Sequence, residues 1–266
     1  MDEVTGRDIT ETGEAGSAVL YLFSPDGHFV GRVSVTGEQI VHRAPVLLPV
    51  EALDRCHVST WTNAGAGQLF HSPAQGSGIE ERAVSLIEGE DTFHGTPDDL
   101  FFGHARLAPV GAAGPEVITL ARKNARMRIT VRGLDRRIPE DRYYLTVEIP
   151  NDGYDFVGNP IAGTARVRRT GAFHDNGDFS TDEAFNLIHT DPAVSPAGGV
   201  TVNLYEKALG RSADRLIASV TDDDGRPISL PTGRTVNLLI DLNEGGGLSV
   251  YTEITPWDEI YQWDIW

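Results

Sequence analysis

The sequence predicts an all-β chain in two domains, residues 17–115 and 116–266. Three observations predict it. Short runs of β-branched, aromatic and aliphatic residues follow one another along the 266 residues, punctuated by Asp-Gly and Asn-Gly turn chemistry. One of these runs, residues 125–132, alternates strictly, with Met127, Ile129 and Val131 on one face and Arg126, Arg128, Thr130 and Arg132 on the other. No long helical periodicity occurs in the second half, which argues against a doubly wound α/β fold. Hydrophobic residues make up 40% of the chain, enough to fill real cores.

Residues 1–16 carry Asp2, Glu3, Asp8, Glu11 and Glu14 with no apolar period, and are expected to form a flexible tether. Residues 18–23 and 28–35 flank Ser-Pro-Asp-Gly and predict a hairpin. Residues 44–50 and 55–61 are further strand candidates. Ile79, Ala83 and Ile87 fall on one helical face, so residues 79–87 are expected to form a short helix. Residues 100–107 return to strand, and the Gly, Ala and Pro cluster at 108–115 marks the domain boundary. The second domain offers strands at 117–122, 125–132, 143–149, 164–170, 184–190, 199–206, 215–221 and 235–241. Turns are expected at Asn-Asp-Gly (151–153), Asp-Asn-Gly (175–177) and Asp-Asp-Asp-Gly (222–225), and a hairpin loop at Asn-Glu-Gly-Gly-Gly-Leu (243–248).

Composition excludes several functions. The formal net charge of −17 would repel nucleic acid and an anionic membrane face. The single cysteine, Cys56, forbids an intramolecular disulfide and a four-cysteine zinc site, and is expected to be a buried small hydrophobe. Its neighbour His57 points to the opposite face of a strand, which argues against a catalytic pair. No Walker A run, dinucleotide-binding glycine fingerprint, nucleophile elbow or His-Glu-x-x-His helix is present. The eight histidines lack helical ligand spacing, and the acidic turns do not follow the alternating calcium-loop pattern. No catalytic residue, cofactor or metal is expected. Clustered carboxylates leave a cryptic hydrolase as a remote reading.

Three of the four tryptophans lie in the last ten residues, in Ile-Thr-Pro-Trp-Asp-Glu-Ile-Tyr-Gln-Trp-Asp-Ile-Trp (254–266). A terminus this aromatic is expected to pack, either sealing the second core or completing itself against a partner by strand addition. The candidate contact residues are Trp257, Tyr261, Trp263 and Trp266.

Val-Leu-Tyr-Leu-Phe-Ser-Pro-Asp-Gly-His-Phe-Val (19–30), Val-Ser-Thr-Trp-Thr-Asn (58–63), Asp-Leu-Phe-Phe-Gly (99–103), the double strand at 118–134 and the Ile254 to Trp257 ending occur in an order and spacing found elsewhere. Together they resemble the FimB/Mfa-like family of Bacteroidales fimbrial anchor and minor subunits, within the fimbrillin group. The resemblance implies two tandem transthyretin-like β-sandwiches. It also implies a cell-surface role at the outer membrane, with pilin (fimbrillin) subunits as partners through strand exchange. Members are typically lipoproteins; the signal and lipidated cysteine are absent from residues 1–16 and expected to have been removed from the precursor. The rival reading is a surface carbohydrate-binding module using exposed aromatics such as Trp61, Trp257 and Trp263.

Overall fold

The computed structural model describes residues 8, 13–49, 55–63, 65, 67–107, 116–181, 183–190, 199–210, 213–243 and 246–263. Most of the tether and the whole 108–115 stretch lie outside the described residues. The chain divides into two compact units. The first comprises Met1–Ile87, Pro97–Asn124 and Gly153–Ile161; the second comprises Glu88–Thr96, Ala125–Asp152 and Ala162–Trp266.

The architecture is all-β, as the sequence predicts. In chain order the early elements are β1 (Ser17–Phe23), β2 (Phe29–Thr36), the short α1 (Gly37–Val41), β3 (His57–Thr62), β4 (Gln68–Phe70), β5 (Arg82–Leu86), β6 (Phe101–Arg106), β7 (Ala121–Arg122) and β8 (Asn124–Arg132). They are followed by β9 (Tyr143–Asp155), β10 (Pro160–Arg169), β11 (Ala172–Phe173), β12 (Phe179–Ser180), β13 (Phe185–Ile188) and β14 (Thr201–Glu206). The last are β15 (Arg215–Val220), β16 (Asp222–Asp223), β17 (Arg226–Pro227), β18 (Arg234–Leu242) and β19 (Leu248–Pro256).

In the first unit one sheet has the order β2-β1-β3-β6-β7. The β1–β2 hairpin turns at Ser-Pro-Asp-Gly, where Gly27 adopts φ 80° and Ser24 donates to the His28 carbonyl at 2.8 Å. β2 leads into α1 through a capping box: the Gln39 amide donates to Thr36 Oγ1, and the Thr36 amide donates to Gln39 Oε1. Facing partners of β5 are β4 and residues 153–155 of β9. Between them Trp61 is fully buried, its ring 4.7 Å from Phe102 and 5.2 Å from Tyr154, while Tyr21 and Phe23 close on Phe156. On the other face of β1, Ala18, Leu20 and Leu22 pack with Val35 and Val58 beneath Val46, Leu48 and Ile118.

The segment entering β1 is tied down by polar contacts. Asn63, in the left-handed region at φ 61°, donates to the carbonyls of Glu14 and Asp99 and accepts from the Gly16 amide. Arg122 is almost wholly buried, pairs with Asp99 and, at 2.8 Å, with Glu14, and lies over the Phe101 ring.

In the second unit one sheet has the order β11-β12-β8-β18-β19, with β13 also on β8. The other layer pairs β15, β14 and the 143–148 part of β9. β8 and β18 run parallel, Arg126 opposite Thr235 through Arg132 opposite Asp241. Met127, Ile129, Val131, Val236, Leu238 and Ile240 form the buried face, as the alternation at 125–132 predicts.

Four expectations fail. Of residues 117–122, only Ala121–Arg122 forms strand, and Val117 is 86% exposed. Residues 79–87 hold β5 instead of a helix. Successive residues Ala83 and Val84 point to opposite faces and both are buried, so the strand shows no alternation, and Ile87 is 42% exposed. Residues 44–49 form no strand; Val46 and Leu48 pack inward from an irregular segment whose Leu47 is 93% exposed. Asn151-Asp-Gly is not a turn but continues β9. Asn151 spends its side-chain N–H on the His189 carbonyl, and Gly153 lets β5 approach so closely that a Cβ there would lie 2.1 Å from the Val84 carbonyl oxygen.

One loop is strained. Between the Glu88–His94 bridge, Asp91 and Thr92 both occupy the left-handed region, at φ 58° and 64°. A β-branched residue is badly suited to that region. Thr92→Gly is therefore expected to stabilise the chain by about 1 kcal/mol. A urea titration of the full chain measures it, and an unmoved midpoint would show that the loop carries no such strain.

Candidate interaction edge

β19 is the last strand of its sheet, paired on one side only, with β18, from Leu242–Leu248 to Arg234–Pro256. The amide of Thr252 points away from β18, because it donates to Asp223 Oδ2 at 3.0 Å. By the two-residue period the backbone groups of Val250 and Ile254 point outward as well. Among the described residues, no backbone group is hydrogen-bonded to those two on that side.

The core runs out at this edge. Ile254, opposite the buried Val236, remains 49% exposed, and Leu248, opposite the half-buried Leu242, 45% exposed, although both lie on the core-facing side of β19. Exposed aliphatic side chains on an open edge are the features that native sheets ordinarily avoid. The edge is acidic in its local sequence: Asp222, Asp223 and Asp224 belong to or border the β16–β17 hairpin that meets Thr252, and Glu253, Asp258 and Glu259 lie in and just after β19.

Beyond β19 the chain turns back. The Glu259 amide donates to the Pro256 carbonyl, and Thr255 Oγ1 donates to the Glu259 carbonyl. The Tyr261 amide then donates to Asn237 Oδ1 on β18. Trp257 is 5% exposed: its carbonyl accepts from Thr235 Oγ1 at 2.9 Å, and the Arg126 guanidinium lies 4.8 Å over its ring. The Trp263 ring lies 4.9 Å from Tyr261 and 6.5 Å from Tyr251, and these two tyrosines are 40% and 49% exposed. The structure thus brings Tyr261 and Trp263 together at the surface and places Trp257 apart, anchored against β8. Trp266 lies outside the described residues. Trp61, considered above as an exposed sugar platform, is instead fully buried in the first unit's aromatic core.

Sequence reasoning singled out the aromatics but not the edge itself. Nothing in the local sequence ties Asp223 to Thr252, and neither residue is unusual alone. His57 and His104 also meet unannounced across β3 and β6, their ring nitrogens 3.3 Å apart. Burial, then the neighbouring His57, push His104 below the ordinary histidine range. No group of three His, Cys, Asp or Glu side chains suited to a metal ion occurs among the described residues. Cys56 is buried, which pushes its thiol upward. Among the described residues no helix is long and apolar enough to cross a membrane.

A nearly all-β chain with an edge strand paired on one side only is the class of fold the comparisons with known proteins find. The chain belongs to the family of fimbrillin-A associated anchor proteins Mfa1 and Mfa2, whose profile matches residues 1–263. It is 25% identical over 269 residues to the major fimbrium anchoring subunit FimB of Porphyromonas gingivalis, covering 97% of this chain and 84% of that one. The fold matches the fimbrial anchor protein Mfa2 of the same species with a TM-score of 0.67 at 13% identity, over 92% of this chain and 90% of that one. A Bacteroides thetaiotaomicron structure, provisionally described as polysaccharide binding, matches equally well at 14% identity, over 94% of this chain and 92% of that one. The family is one of fimbrial structural components and not of enzymes.

Proposed function

We propose that the chain is a fimbrial anchor or minor subunit, seated at the outer membrane, that holds pilin subunits by strand addition along β19. The observation that carries this reading is the half-exposed core face of an edge strand, Leu248 and Ile254 beside outward backbone groups. A second strand laid there would satisfy those groups and cover both aliphatics. Anchor subunits of this family associate with other fimbrial subunits, which supplies the partner class.

The test is crosslinked capture from the producing cells, with the captured chains identified by mass spectrometry. Fimbrial subunits captured by the native chain and lost with Leu248→Arg/Ile254→Arg are the expected result. Their retention in that variant would move the contact away from β19. A glycan reading has one observation in its favour, the surface cluster of Tyr251, Tyr261 and Trp263. Capture of no fimbrial subunit, together with polysaccharide-array binding abolished by Trp263→Ala, would establish it instead.

A further inference from the structure

We propose that Asp223 is a gate on the β19 edge, and that the strand admitted there is an extended segment with apolar residues at alternate positions and basic residues at its ends. The proposal rests on the strand-addition reading above and adds its regulation and partner chemistry.

The middle of the edge is occupied by a side chain instead of a strand. Asp223 Oδ2 accepts from both the Thr252 amide, at 3.0 Å, and the Thr252 hydroxyl, at 2.6 Å. A carboxylate gives a strong, charge-assisted bond to an amide that an incoming strand would otherwise claim with its own carbonyl. The carrier of this carboxylate is a minimal hairpin, β16 on β17, with Asp222 opposite Pro227 and Asp223 opposite Arg226. Its turn is self-contained: Asp222 Oδ1 accepts from the Gly225 amide, while Asp224 and Gly225 take φ 52° and 77°. Apart from Asp223 its residues are exposed, and the first buried apolar residue after it is Ile228. Such a hairpin can swing away with little loss of buried contact. Closed, it blunts the edge against indiscriminate pairing; displaced, it frees Thr252 between Val250 and Ile254.

The occupant's chemistry follows from the rim. Leu248, Val250 and Ile254 lie on one face of β19, with Thr252 between the last two, and a strand of two-residue period matches them. Asp222 and Asp224 flank Asp223 on the hairpin that reaches Thr252, and Glu253, Asp258 and Glu259 lie in and just after β19, so the edge is locally acidic; lysine or arginine at the ends of the strand is favoured and acidic ends are repelled.

The experiment uses the 266-residue chain and, as probe, a synthetic peptide of alternating threonine and valine with lysine at both ends, followed by fluorescence anisotropy. Asp223→Ala is expected to tighten binding at least tenfold. Because that change could disturb the hairpin, a second variant, Asp223→Cys/Thr252→Cys with Cys56→Ala, is measured oxidised and reduced; the oxidised form is expected not to bind and the reduced form to bind. A peptide with glutamate ends is expected to bind at least tenfold more weakly, and equal binding would overturn the basic-end assignment. Equal affinity of the native chain and Asp223→Ala, lost in Ile254→Arg, would overturn the gate while leaving the edge as the docking site. Binding by no variant, the reduced cysteine pair included, would overturn the strand-addition reading itself.

Discussion

Trp61→Ala is expected to cost about 3–5 kcal/mol of stability, the range for deleting a large aromatic from a packed core. Trp61 is fully buried and touches Phe70, Phe102 and Tyr154, which come from β4, β6 and β9. No neighbour is flexible enough to refill a space of that size, so the cavity cost adds to the lost transfer energy. Trp61→Phe separates volume from polarity. The indole Nε1 has no hydrogen-bond partner among the described residues, so phenylalanine gives up no bond and is expected to cost only about 1–2 kcal/mol. Paired urea titrations measure both, and equal losses would show that the indole nitrogen matters after all.

Removing the two carboxylates around Arg122 is expected to be as damaging. Glu14→Gln/Asp99→Asn removes both carboxylates paired with a guanidinium of 3% side-chain exposure, and breaking a buried ion pair from one side typically costs about 3–5 kcal/mol. The reverse change is milder. Glu14 and Asp99 are 24% and 30% exposed, so after Arg122→Met they regain water, and the long apolar side chain still covers Phe101. Its cost is expected to stay under about 2 kcal/mol. If Arg122→Met proves the worse of the two, the arginine's packing and not its charge holds the entry segment. Hydrogen exchange at Gly16 and Ser17 provides an independent readout, since loss of the Glu14 contact should speed exchange there before the rest of β1 responds.

The sequence was most legible where one face of a strand is wet. Residues 125–132 alternate because Arg126, Arg128 and Arg132 line the partly exposed outer side of β8 while Met127, Ile129 and Val131 face the core. β5 was illegible for the opposite reason: with both faces covered, Ala83 and Val84 carry no period, and a chance spacing of Ile79, Ala83 and Ile87 imitated a helix. Asn151-Asp-Gly misled because turn chemistry and close backbone approach call for the same glycine. The Thr36–Gln39 capping box was readable and went unread. At the candidate edge, the aromatic residues stood out by composition. The Asp223–Thr252 contact joins positions 29 residues apart and exists only through tertiary structure.

The parallel seam between β8 and β18 has a consequence for how the chain is made. Arg126 meets Thr235 across a connection of about a hundred residues, and closing a loop of that length costs about 4 kcal/mol of chain entropy before any contact compensates. A nascent chain therefore carries β8 with its β18 flank bare while about a hundred further residues are made, and one of the last strands to emerge is the one that covers it. Slow maturation is the expected signature of such a topology. A chain stopped before residue 234 would leave Met127, Ile129 and Val131 without the strand that screens their flank, exposed to any sticky neighbour met before folding is complete.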